Sequence, residues 1–135
     1  AFVLTVEDPK RFAESRDVPA YLGLCPRRSQ SGDKDPELRI SKTGDPYLRR
    51  LLVGSAHYIL GPFGPECDVR RWGLALAARG GKSAKKRAVV AVARKLAVVL
   101  HTIWSRETDY EPIRPVRGRR QRRAVATAAV AIATP

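Results

Sequence analysis

The chain is 135 residues long and carries 26 Lys and Arg against 13 Asp and Glu, a formal charge of +13 with a sequence pI near 10.7. One domain with a real core fits that length, and the charge is the footprint of a nucleic-acid binder, although ribosomal proteins and cationic membrane peptides share it. No uninterrupted apolar run approaches the roughly 20 residues of a spanning helix, which argues against a membrane protein.

The opening AFVLTVEDPKRF has no initiator Met, basic n-region or small-residue cleavage site, so it is not a secretory signal. It reads as the interior of a longer protein. Residues 1–6 are apolar and β-branched and fit either a strand or the end of a preceding helix. Asp8 and Pro9 then make a cap-and-first-turn pair, and Phe12, Arg16 and Ala20 follow at helical spacing, predicting a helix over residues 9–22. Pro19 is the obstacle to it, because proline removes a backbone donor and clashes with the preceding turn.

The stretch YLGLCPRRSQSGDKDPELRISKTGDPYLRRLL, residues 21–52, organises the rest. Its middle, residues 23–44, has no sustained period and reads as a loop, with Leu38, Arg39 and Ile40 alternating as a short strand. Ser29, Ser31 and Ser41 lie among Arg27, Arg28, Lys34, Arg39, Lys42, Arg49 and Arg50. A loop this polar cannot supply a core, and loops on rigid flanks are where binding and catalytic groups concentrate. As turn residues the serines need no further reason. A serine followed by Gly32, however, can be held in an exposed turn, where guanidinium groups would bind a phosphate and stabilise charge during attack.

Asp45 and Pro46 start the clearest helix, with Leu48, Leu51, Leu52, Ser55, Ala56 and Ile59 on one apolar face, and GPFGPE at residues 61–66 ends it. A shorter helix over residues 68–78 has Val69, Trp72, Leu74 and Leu76 as core candidates and stops at Gly80 and Gly81. The longest helix covers residues 82–104, with Val89, Val92, Leu96, Val99, Leu100 and Ile103 on its buried face. Lys82, Lys85, Lys86 and Arg87 crowd its start against the helix dipole, which points to an anionic partner or simply to solvent exposure. After Tyr110, EPIRPVRGRRQRR reads as a solvated basic tail.

Other motifs weigh less. The GGKS at residues 80–83 fails as a phosphate-binding loop, since Leu76 stands where a glycine is required and a helix, not a strand, precedes it. His57 and His101 lack partner carboxylates and read as core-edge residues; Trp72 and Trp104 read as core anchors. Cys25 and Cys67 show no CxxC spacing, so zinc is not indicated and a reduced cytoplasmic setting fits.

The segments YLGLCPRRSQSG, LRISKTGDPYLRRLL and RKLAVVLHTIW resemble the C-terminal transposase domain of insertion-sequence family one-hundred-and-ten, which includes pilin-gene invertases and RNA-guided bridge recombinases. The likeness runs from about Asp8 to Pro112. It implies a two-part enzyme: an N-terminal RuvC-like domain with an acidic site for a divalent metal such as magnesium, and a C-terminal domain supplying a nucleophilic serine. Residue matching places that serine at Ser31, which would form a covalent bond to DNA. Asp33, Asp35 and Glu37 crowd one loop and do not match the acidic tetrad, so only the second part is expected here, with no cofactor of its own.

The resulting expectation is a mainly α fold: a small helical domain over residues 1–112 with a long basic active-site loop, then a disordered basic tail over residues 113–135. Ser31 is the expected nucleophile, and Arg27, Arg28, Lys34, Arg39, Lys42, Arg49 and Arg50 are the expected DNA ligands. DNA, a guide RNA and further copies of the protein are the expected partners, with no membrane. The alternatives are a non-catalytic nucleic-acid-binding module, including a decayed transposase remnant, and a ribosomal-type RNA-packing protein.

Overall fold

A computed structural model describes residues 1–27, 32 and 39–114. The described residues form a helical domain whose α-helices are α1 (Phe2–Val6), α2 (Val18–Tyr21), α3 (Pro46–Leu60), α4 (Asp68–Ala78) and α5 (Ala84–Arg106). The long α5 is the spine. It packs against α2, α3, α4 and the 3₁₀ turns Pro9–Arg11 and Ser15–Asp17. The shared core joins Val18, Leu22 and Leu24 to Leu48, Leu52 and Ala56, to Cys67 and Val69, and to Val89, Val92, Ala93 and Ala97. Each fully buried Leu or Val there contributes about 1.5–3 kcal/mol relative to exposure.

Residues 1–6, which pattern alone left open, form α1, ended by Glu7 at φ 68°. The continuous helix expected over residues 9–22 does not form. Asp8 does cap a turn, accepting from the Lys10 amide at 2.8 Å, but Phe12 is extended (φ −112°, ψ 128°) and the chain turns helical again only at Ser15. Pro19 fits at the start of α2 and would cost a hydrogen bond inside a longer helix, but the extended backbone at Phe12 lies beyond its reach. The interruption lets Phe12 turn inward, edge-on to Tyr21 at 5.3 Å and to His101 at 5.9 Å.

α3 starts where expected. Pro46 opens it and the Asp45 carboxylate accepts from the Tyr47 amide at 2.8 Å, the usual N-cap arrangement. Its buried stripe is Leu48, Leu52 and Ala56, whereas Leu51 and Ser55 face solvent. The C-terminal carbonyls of α3 are held by Arg70, whose Nη1 donates to Ile59 and Gly61 oxygens at 2.5 Å each. Helix ends need such partners because their last carbonyls have none within the helix.

α4 has the expected bounds but a different buried face. Val69 and Gly73 are buried, while Trp72 and Leu74, expected in the core, are 37% and 40% exposed. Gly73 sets this rotation. A Cβ at that position would stand 2.5 Å from a Val92 methyl and 2.7 Å from a Leu60 methyl, so the helix lies too close to its neighbours for a side chain there.

α5 buries Ala84, Ala88, Val89, Val92, Ala93, Ala97 and His101. The expected Leu96, Val99, Leu100 and Ile103 are only half-buried. Alanine occupies the tightest contacts because three elements converge on one helix. By length and composition α5 is able to cross a membrane, contrary to the expectation that no apolar run is long enough to do so. Its packing on α2, α3 and α4 gives the apolarity another cause, that of a core helix. Beyond α5, the Asp68 amide donates to the Pro112 oxygen at 2.9 Å and the Arg114 amide donates to the Asp68 carboxylate at 2.8 Å. Residues 115–135, most of the expected tail, lie outside the described residues.

Candidate nucleic-acid interface

The basic region is built on a close crossing of two backbone segments. Gly23 (φ +72°) and Gly44 (φ +85°) occupy left-handed conformations, and a Cβ would meet the Thr43 oxygen at 2.2 Å in the first case and the Tyr21 oxygen at 2.3 Å in the second. Only glycine allows both the dihedral and the contact. Above the crossing the segments pair as an antiparallel ribbon. The Lys42 amide donates to Gly23 oxygen at 3.1 Å, Ser41 to Cys25 at 2.8 Å and Arg27 to Arg39 at 3.0 Å. The short strand expected over residues 38–40 is reduced, among the described residues, to one bridge between Pro26 and Ile40.

That register places Arg27 directly opposite Arg39, and opposed residues in an antiparallel pair project from the same face. Both are exposed, as are Lys42 and Arg50. Like charges opposite one another are destabilising, so the pair favours a bound anion. Arg49 behaves differently. Its Nη1 donates to the Leu22 and Thr43 oxygens, each at 3.2 Å, tying both crossing segments to α3. Its Nη1 is thereby engaged by the scaffold.

Asp45 is fixed from two sides: it accepts from Tyr47 and, at 3.1 Å, from the Thr5 hydroxyl. The Tyr47 amide bond, reinforced by the Thr5 hydroxyl, outweighs a partial desolvation and holds the Asp45 carboxyl below its ordinary 3.8. The expected nucleophile Ser31 lies outside the described residues, together with Ser29, Arg28, Lys34, Asp33, Asp35 and Glu37. The ribbon brings together the two ends of their segment, Arg27 and Arg39.

Elsewhere, no three His, Cys, Asp or Glu among the described residues are grouped to hold a metal ion. The glycine pair at residues 80 and 81 follows α4, as the rejection of a phosphate loop required. His57 is exposed and His101 is 2% exposed, so neither sits at the core edge. His101 Nε2 pairs with the Pro9 oxygen and Nδ1 with Ser15 Oγ, both at 2.8 Å. A carbonyl only accepts, so Nε2 carries a proton and, in the neutral ring, Nδ1 accepts from Ser15. The sequence held no signal for this link across more than eighty positions. Trp104 is half-buried and stands edge-on to Phe2 at 6.3 Å.

The fold and this ribbon define a small helical domain that presents cations at the two ends of one serine-containing segment. Residues 1–66 match the model of the transposase IS116/IS110/IS902 family. The chain is 35% identical over 113 residues to a Pseudomonas aeruginosa protein named "Probable family 20 transposase", covering 83% of this chain and 32% of that protein. It is 36% identical over 107 residues to the transposase for insertion sequence element IS1111A of Coxiella burnetii, covering 78% of this chain and 29% of the relative. A third relative, the transposase for insertion sequence element IS1328 of Yersinia enterocolitica, is 49% identical over 49 residues, covering 36% of this chain and 15% of the relative. The chain belongs to the IS116/IS110/IS902 transposase family, as its C-terminal transposase domain. It spans about a third of the length of the first two relatives.

Proposed function

We propose that this chain is the part of a bacterial DNA transposase that grips DNA and supplies Ser31 as the nucleophile for strand cleavage and rejoining, within a cytoplasmic homo-oligomer. The observation that carries the reading is the pairing of exposed Arg27 with Arg39 at the two ends of the Ser31 segment, inside the family-matched region. In the cleavage step Ser31 Oγ bonds to the phosphorus of a DNA phosphodiester and the bridging P–O bond breaks. The serine proton is lost and the departing DNA oxygen takes up a proton. One phosphoester replaces another, so rejoining is the reverse attack and needs no external energy source. Arg27, Arg39, Lys42 and Arg50, with Arg28 and Lys34, neutralise the phosphate and the charge that develops on it.

The test mixes the chain, with and without an upstream family domain, with DNA carrying element ends, followed by denaturing electrophoresis. An adduct that disappears in Ser31→Ala and persists in Ser29→Ala is the expected result. DNA binding without an adduct in the presence of the upstream domain would leave a non-catalytic binding module.

A further inference from the structure

A second surface, away from the ribbon, has a different chemistry. Between α4 and α5 lies an open groove of about 800 Å³. Its apolar lining includes Trp72, Leu76, Ala91 and Val98, and its cationic lining includes Arg79, Arg94 and Lys95, with no carboxylate among the lining residues. Along α5 it runs from Ala84 to Val98, a length of about 21 Å at 1.5 Å per residue. An elongated apolar floor with one sign of charge fits a helix with apolar anchors at helical spacing and acidic flanks.

We infer that this groove docks an acidic amphipathic helix of a partner protein. Nucleic acid fits less well, because one face of the only aromatic ring lining the groove is already occupied: Lys95 Nζ sits 4.3 Å from the Trp72 ring centroid, where a base would stack. The described α-helices of a second copy and residues 115–135 do not supply such an acidic helix. Residues 115–135 contain arginines and no acidic residue, and α4, with Asp68 alone, is the only described α-helix containing an acidic residue. The inference is independent of the proposed role of Ser31.

The test measures fluorescence anisotropy of a labelled synthetic helix with Leu every three or four residues and Glu on both flanks. The controls are a peptide of identical composition with the Leu positions scrambled and a labelled DNA duplex. The patterned peptide is expected to bind at least tenfold more tightly than the scrambled one. Reversing two groove charges, Arg79→Glu with Arg94→Glu, is expected to weaken it at least tenfold, while Lys10→Glu with Arg106→Glu, the same charge change away from the groove, is not. Circular dichroism of each variant reports that the fold is kept. Equal binding of both peptides, or equal loss from both charge reversals, overturns the inference. Loss of duplex binding on groove reversal, with no preference for the patterned peptide, would make the groove a nucleic-acid surface instead.

Discussion

Replacing Gly23 by alanine tests whether the crossing of the two backbone segments is what holds the basic ribbon in place. The new Cβ would lie 2.2 Å from the Thr43 oxygen, so that oxygen must retreat by about 0.8 Å to reach 3.0 Å, a distance real Cβ atoms essentially never undercut. The retreat works against the Lys42–Gly23 and Ser41–Cys25 backbone bonds at 3.1 and 2.8 Å, each of net worth about 1 kcal/mol. Left-handed backbone costs a side chain a further 1–2 kcal/mol, roughly. Gly23→Ala should therefore destabilise by about 3–4 kcal/mol, a large share of the 5–15 kcal/mol typical of a domain. Gly32 is the control, since it has φ +66° but nothing within 4 Å of a Cβ, and Gly32→Ala should cost only about 1–2 kcal/mol. Urea unfolding followed by circular dichroism gives both values, provided the slope with denaturant is unchanged. If the two variants lie within about 1 kcal/mol of each other, close approach is not what demands glycine at position 23.

His101→Ala deletes two 2.8 Å hydrogen bonds and leaves the Pro9 oxygen and Ser15 hydroxyl to find other partners. With the cavity it opens, the loss should be about 2–4 kcal/mol by the same unfolding assay. Asp45 has a folded-state pKa below its ordinary 3.8, so its contribution is fully present above the unfolded value and is lost as pH falls through the folded one. Asp45→Asn keeps a capping side chain but not the charge, so it should lower the melting temperature near neutrality and flatten its fall with acid below about pH 4, the two proteins converging at low pH.

The helical class, the bounds of α4 and the start of α3 were legible because they rest on local signals: the Asp–Pro pair at residues 45 and 46 and the glycine pair at residues 80 and 81. The faces of the helices were less so. Spacing identifies which residues share a stripe, but Gly73 fixes which stripe of α4 can approach Val92, and no rule counting large apolar residues would select a glycine. Trp72 was misplaced for that reason. In α5 the same counting favoured Val99 and Ile103 over the buried alanines. At the site, the cluster of basic residues was visible as composition, whereas the pairing of Arg27 with Arg39 depends on a register set by the crossing at Gly23.

The engagement of several cations by other groups of the fold makes the charge total a poor guide to DNA contact, and this has a measurable consequence. Arg49 and Arg70 bond backbone carbonyls, Arg71 bonds Glu66 and Arg16 bonds Glu14, and Arg11 and Lys95 cover aromatic rings. Four exposed cations remain at the ribbon and the start of α3: Arg27, Arg39, Lys42 and Arg50. At about 0.9 per neutralised phosphate on duplex DNA, they give a slope of log affinity against log salt of about −3.6, and Arg28 and Lys34 extend it to about −5.4. The measurement is best made with Arg117, Arg119, Arg120, Arg122 and Arg123 replaced by alanine, which removes the tail's contribution. On that background Arg50→Ala should reduce the magnitude by about 0.9. Arg49→Ala should leave the slope in place and instead lower unfolding stability by about 1–2 kcal/mol through its lost backbone bonds. A slope that responds equally to both substitutions would mean that Arg49 reaches phosphate, and its two carbonyl contacts would then not be its role in the bound protein.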